Sequence, residues 1–230
     1  MLYVVPTPIG NLQDITLRAL EILKHADFVL CEDTRQTKKL LDNFGILTKT
    51  LRYNEQNENS FPHFIKMLQE GKDLALVSDA GTPCVSDPGW KLVKLARQEN
   101  IKITALPGPS AAICALSAAG LSGGGFCFLG FLPKKKGKAQ KQIEAALMLE
   151  KPIIIYESPY RIIKFLEFLV SVFPEIKVFL GREITKIFEE YLSGTPAEIL
   201  ANFKVRKKIL GEFVIILDGR LNNKEDNDED

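Results

Sequence analysis

Short apolar runs alternate with amphipathic stretches through the first half of the chain, and each apolar run ends in a loop rich in proline or polar side chains. The expected strands fall at 2–5, 28–31, 49–53, 74–78 and 101–106, the third of them more polar than the rest. Helical spacing fills the intervals at 14–25, from about 33 to Gly45, 60–71, 87–96 and 110–119. Local signals support the boundaries: Asp14, Asp33 or Thr34, Ser60 and Asp87 stand where helix caps belong, and Pro62 and Pro109 fall in first turns. A chain that repeats strand, helix, strand has few ways to bury every apolar face. It is expected to form a parallel sheet covered by helices.

The second half continues with strands expected at 126–130, 152–156, 177–181, 188–193 and 212–217 and helices at 138–150, 159–172 and 196–203. A glycine-rich break at 121–125 separates the halves. The division reads as an α/β domain over 1–112, a second over 113–220, and an acidic tail over 221–230 without periodicity, expected to be disordered.

Composition narrows the class. The chain has 230 residues, enough for one large or two small cores. The four cysteines are widely spaced without a C-x-x-C pair, so neither a zinc site nor a disulfide framework is indicated. Cys31, Cys114 and Cys127 lie in apolar contexts and are expected to be buried. With only two histidines, His25 and His63, a histidine triad or metal cluster is disfavoured. No run reaches the roughly 20 apolar residues of a membrane span, and the first residues lack a secretory pattern. No membrane and a cytoplasmic location are the expectation. The net charge is only +1, but Lys134, Lys135, Lys136 and Lys138 cluster, as do Arg206, Lys207 and Lys208.

The loops carry the chemistry. Neither G-x-G-x-x-G nor G-x-x-x-x-G-K-[ST] occurs, so standard dinucleotide and P-loop sites are absent. Pro6-Thr7-Pro8-Ile9-Gly10 is a stiff loop that can present Thr7 and backbone groups. Ser78 to Gly89 packs two carboxylates, two serines, a threonine, two prolines and two glycines into twelve residues. Gly81 allows close backbone approach there, and Asp87 reads as a helix cap. Pro107-Gly108-Pro109-Ser110-Ala111 puts small residues at a helix N-terminus. Glu32-Asp33-Thr34-Arg35 and Glu157-Ser158-Pro159-Tyr160-Arg161 each set carboxylates beside an arginine after a strand. The lysines of 134–138 can contact phosphates without reading sequence.

The segments VPTPIGNLQDIT, CEDTRQTKKLL, VSDAGTPCVSDPG, LPGPSAAICALSAAGL, ESPYRI and GEFVIIL, in this order, resemble the tetrapyrrole-methylase superfamily of S-adenosylmethionine-dependent methyltransferases. Within it the chain is similar to the branch that methylates the ribose 2′-hydroxyl of a cytidine in small-subunit ribosomal RNA. The likeness spans residues 2–218. It implies two α/β domains, the first sheet mostly parallel and the second mixed, with the cofactor in a cleft between them, and a homodimer. Cofactor contacts would fall on Pro8, Gly10, Gly81, Thr82, Val85, Ser110 and Ala111, with backbone near Tyr156 and Glu183 contributing from the second domain. Partners would be ribosomal RNA or the small subunit, contacted by Arg35, Lys134, Lys135, Lys136, Lys138 and Arg161. No metal is needed for methyl transfer from a sulfonium. A ribose hydroxyl is a poor nucleophile, so a base would help; Glu32, Asp33 and Asp79 are the catalytic candidates. A corrin-precursor C-methyltransferase and a non-catalytic RNA-binding protein are the competing readings.

Overall fold

The computed structural model describes residues 1–121 and 124–219. The chain forms two compact units, Met1–Ser110 and a second beginning at Ala111. The first runs β1 (Leu2–Val4), α1 (Leu17–His25), β2 (Phe28–Cys31), α2 (Thr34–Asn43), β3 (Lys49–Arg52), α3 (Phe61–Gln69), β4 (Leu74–Leu76), α4 (Trp90–Gln98) and β5 (Ile103–Ala105). The sheet order is β3-β2-β4-β1-β5, and every pairing is parallel.

The two-residue period of the strands explains how both faces are covered. Leu2, Leu30, Leu74 and Leu76 point to one face, where they meet Phe64, Leu68 and Leu92 of α3 and α4. Val29, Cys31, Ala75 and Val77 point to the other, where they meet Leu23 and Leu41 of α1 and α2. A strand buried on both sides needs a continuous apolar run, as the interior strands β2 and β4 have, whereas the edge strand β3 is half polar and partly exposed. The first connection makes a short 3-10 turn over Leu12–Asp14 before α1. The cap of α1 is therefore Thr16, whose hydroxyl accepts from the Ala19 amide at 3.0 Å, and not Asp14. Asp33 does cap α2.

The second unit runs α5 (Ala111–Ala118), β6 (Cys127–Phe131), α6 (Lys136–Leu147), β7 (Ile153–Glu157), α7 (Ile162–Val172), β8 (Val178–Arg182), β9 (Glu190–Gly194), α8 (Pro196–Lys204) and β10 (Phe213–Leu217). Its sheet is mixed, ordered β6-β7-β10-β8-β9, with only β6 and β7 parallel. The last strand thus inserts at the centre, and all five of its residues are buried. Ile153, Ile155, Leu180, Phe213 and Ile215 pack with Ile143, Leu166, Ile199 and Phe203 in one core. Thr195 and Glu198 form a reciprocal capping box at α8.

Two expectations need correcting. Cys114 and Cys127 are only partly buried, because α5 and the edge strand β6 leave one side of each open; Cys31 is fully buried in the sheet. All four thiols are free. The expected disordered tail and Gly123 of the glycine-rich break lie outside the described residues.

Candidate active site and basic pocket

Three loops meet at the carboxyl ends of β1, β4 and β5, where open α/β sheets place ligands. Thr7 and Gly81 exchange backbone hydrogen bonds in both directions, each 2.9 Å, as an isolated antiparallel bridge. The Thr7 hydroxyl donates to the Ser78 carbonyl at 3.0 Å, and Ser78 Oγ donates to the Gly81 carbonyl at 3.1 Å. Thr82 Oγ1 donates to the Pro109 carbonyl at 2.9 Å, which ties in the third loop. Thr7 is buried, so it is not offered to a ligand: its hydroxyl is used to lock two loops together.

Glycine is required where these loops touch. Gly81 has φ +81°, and an added Cβ would sit 3.3 Å from Ile9 Cγ2. At Gly108 a Cβ would fall 2.6 Å from Pro6 Cβ. Around this clasp Pro8 is buried, Gly10 is exposed, and Thr82, Ser110 and Ala111 are half-buried. Val85 is an apolar side chain left exposed on the loop. The Ala112 amide, in the first turn of α5, donates to the Tyr156 hydroxyl at 3.2 Å.

The loop's far end corrects the expectation for Asp87. The N-cap position of α4 is Gly89, with φ +130°, and Asp87 is not its cap. The Gly89 amide donates to Glu55 Oε2 at 3.0 Å and the Lys91 amide to Glu55 Oε1 at 3.3 Å. Glu55 arrives from the connection between β3 and α3, a contact without any local sequence signal. A side chain at Gly89 would collide with Cys84 Sγ and Leu76 Cδ2, both 2.8 Å from the ideal Cβ.

Carboxylates gather beside the clasp. Glu32 follows β2 and Asp79 follows β4, and these strands are neighbours. Partial desolvation raises the pKa of Glu32, and the negative charges of Asp79, Asp87 and Glu55 add to it. Asp33 is different. It caps α2 and holds Arg35 through two side-chain bonds of 3.1 and 2.9 Å, which keep its carboxyl down at about 2. Arg35 is otherwise exposed.

In the second unit Lys134, Lys136 and Arg161, but not Lys135 or Lys138, line a cavity of about 580 Å³ at the ends of β6 and β7. Helix α6 starts at Lys136, so Lys136 and Lys138 occupy its first turn rather than a preceding loop, and no side chain caps it. Lys134, Lys135, Lys136 and Lys138 are exposed. Arg161 donates to the Leu132 carbonyl at 3.1 Å and pairs with Glu157 at 3.3 Å, bracing the cavity wall. Lys164, one turn further along α7, joins the same rim; its i+3 spacing from Arg161 was the available signal. Arg206, by contrast, is spent on Glu190, with bonds of 2.7 and 2.6 Å. Among the described residues no group of three histidines, cysteines or carboxylates is arranged to hold a metal. No helix among them is long and apolar enough to cross a membrane.

This fold and clasp define a class. Residues 1–200 match the family model of tetrapyrrole (corrin/porphyrin) methylases. A solved diphthine synthase superposes with a TM-score of 0.72 at 16% identity, covering 94% of this chain and 89% of that one. Uroporphyrin-III C-methyl transferase from Thermus thermophilus, complexed with S-adenyl homocysteine, does so at 0.63 and 16%, covering 93% and 96%. Curated relatives narrow the branch. Ribosomal RNA small subunit methyltransferase I of Escherichia coli O157:H7 is 47% identical, over 98% of this chain and 80% of its own length. The protein of that name from Leptospira biflexa is 44% identical, over 96% and 91%. The chain belongs to the tetrapyrrole methylase family, in the branch whose members are called ribosomal RNA small subunit methyltransferase I.

Proposed function

We propose that this chain transfers a methyl group from S-adenosylmethionine to the ribose 2′-hydroxyl of a cytidine in small-subunit ribosomal RNA. The observation that carries the RNA reading is the lysine cluster at the N-terminus of α6, unpaired with any described residue, in a chain whose relatives over nearly its full length are named for that RNA. The N-terminal end of a helix favours anions, and four lysines there favour a phosphate backbone.

The residues of the clasp fit the cofactor. The crimp at Gly81 and Gly108 brings three backbones close together, and Val85 offers an exposed apolar surface beside the Thr82 hydroxyl. Pro8, Gly10, Gly81, Thr82, Val85, Ser110 and Ala111 would hold it. When bound, the cofactor supplies an electrophilic methyl group on sulfur. The protein's work is then alignment, exclusion of water and removal of one proton.

Glu32 is our leading base. Its raised pKa brings its proton affinity closer to neutrality, which a general base needs, while its carboxylate is not committed to an ion pair. Asp79 is the second candidate and reinforces Glu32 by its charge. Asp33 serves by fixing Arg35, which with Lys134, Lys135, Lys136, Lys138 and Arg161 faces RNA. We further propose a homodimer in the cytoplasm, tested by light scattering for a mass of two chains.

The deciding experiment incubates the protein and methyl-labelled cofactor with small ribosomal subunits, naked small-subunit RNA and a corrin precursor. Label on a cytidine ribose supports the proposal. Label on the corrin overturns it in favour of small-molecule C-methylation. No calorimetric binding of S-adenosylmethionine would indicate a non-catalytic RNA-binding protein.

A further inference from the structure

The cavity in the second unit holds more than phosphate contacts require. Its floor is apolar, made by Leu132, Ala139, Phe165 and Phe168, and its rim is cationic, made by Lys134, Lys136 and Lys164. Between them stands one carboxylate. Glu157 is 2% exposed, and its Oε1 accepts from the Ser158 amide at 2.8 Å. Its Oε2 is buried and receives no hydrogen bond. It is ion-paired at 3.3 Å with Arg161 Nη2, whose hydrogen bond goes to the Leu132 carbonyl. A buried carboxylate oxygen without a hydrogen bond is unfavourable even beside a cation, and a donor on a ligand would relieve it. Backbone phosphates need neither an apolar floor nor a buried acceptor. A flat base carrying an amino group, with phosphates on either side, needs both.

We propose that this cavity takes one unstacked nucleotide of the RNA substrate, its base on the apolar floor, its exocyclic amino group donating to Glu157 Oε2, and its flanking phosphates on Lys134, Lys136 and Lys164. Sequence-specific RNA recognition typically works on such splayed bases. Tyr160, 92% exposed at the rim, offers a ring on which the neighbouring base stacks. The inference rests on the RNA reading above and extends it from backbone contact to base selection. Cytosine and adenine present an amino group to a carboxylate. Uracil presents carbonyl oxygens on both sides of its single N–H, so the cavity discriminates against it.

The test is fluorescence anisotropy on the full chain with single-stranded runs of C, A or U of equal length at one salt concentration. The expected result is that C and A bind about tenfold more tightly than U, the effect of one charge-assisted hydrogen bond. Glu157→Gln, whose amide can donate to the uracil carbonyl, should bring the three runs to within about twofold. Ala139→Leu, which fills the floor, should drop all three to one backbone-only affinity, with thermal melting confirming that each variant is folded. Cytidine monophosphate should compete only at millimolar concentration; competition as strong as that of the RNA run would make this a free-nucleotide site and overturn the proposal. Equal binding of C and U by the unaltered chain, or an unchanged ratio in Glu157→Gln, also overturns it. Methylation of small-subunit RNA is measured in parallel. Methylation without base discrimination removes the pocket assignment and leaves the enzyme reading intact, whereas no methylation removes the reading itself.

Discussion

Thr7 and Glu157 are both buried, but only Thr7 is fully used. Replacing Thr7 by valine keeps the shape and deletes the hydroxyl that serves the Ser78 carbonyl. Chemical denaturation should show a loss of about 1–3 kcal/mol, the cost of stranding a buried acceptor. Glu157 behaves in the opposite sense. Burial raises its pKa, so the folded chain holds this proton more firmly than the unfolded chain. Above the folded pKa the ionised group lowers stability, and that loss is recovered as the pH falls through the raised pKa toward the unfolded value. Glu157→Gln should therefore melt above the parent chain at neutral and higher pH. The gap should close as the pH approaches the unfolded carboxyl value of about 4.3. A gap independent of pH would mean that the Glu157 pKa is not raised by folding. For Glu32, conversion to glutamine should lower the methylation rate constant by about 10²-fold or more with cofactor affinity unchanged, as loss of a general base does. Unchanged turnover in both Glu32→Gln and Asp79→Asn would remove the two leading base candidates.

At the scale of elements, helix ends decide where the loops are held. Helix α4 takes its cap from Glu55, which reaches its first amides from another connection. Glu55→Ala should cost about 1 kcal/mol in thermal or denaturant unfolding, the usual value of a lost N-cap. It should also loosen the 78–89 loop and weaken cofactor binding. A cap within the same segment is legible from sequence, as Asp33 on α2 and the Thr195–Glu198 box on α8 are. A cap from a distant loop is not, and Asp87 was the natural but mistaken choice. Helix α6 carries lysines where a carboxylate would normally complement the dipole. A bound anion would resolve that local conflict.

Over the whole molecule, net charge says nothing of RNA affinity, because it is only +1. Position does. Changing Lys134, Lys135, Lys136 and Lys138 together to glutamine should lower RNA affinity and reduce the slope of log K against log salt by about 3, from roughly 0.7 per phosphate on a single strand. An unaltered slope would exclude these lysines as phosphate contacts. The sequence by itself determined the alternation of elements, their approximate bounds, and the loops that carry chemistry. These depend on side-chain period, caps and turn residues, all of which are local. Tertiary structure alone decided the strand orders β3-β2-β4-β1-β5 and β6-β7-β10-β8-β9. It also decided that Thr7 locks a loop, that Glu55 caps α4, and that Lys134 and Lys164 share one cavity. Each of these joins residues far apart in the chain, and neither period nor spacing records which distant groups the folded backbone brings within hydrogen-bonding reach.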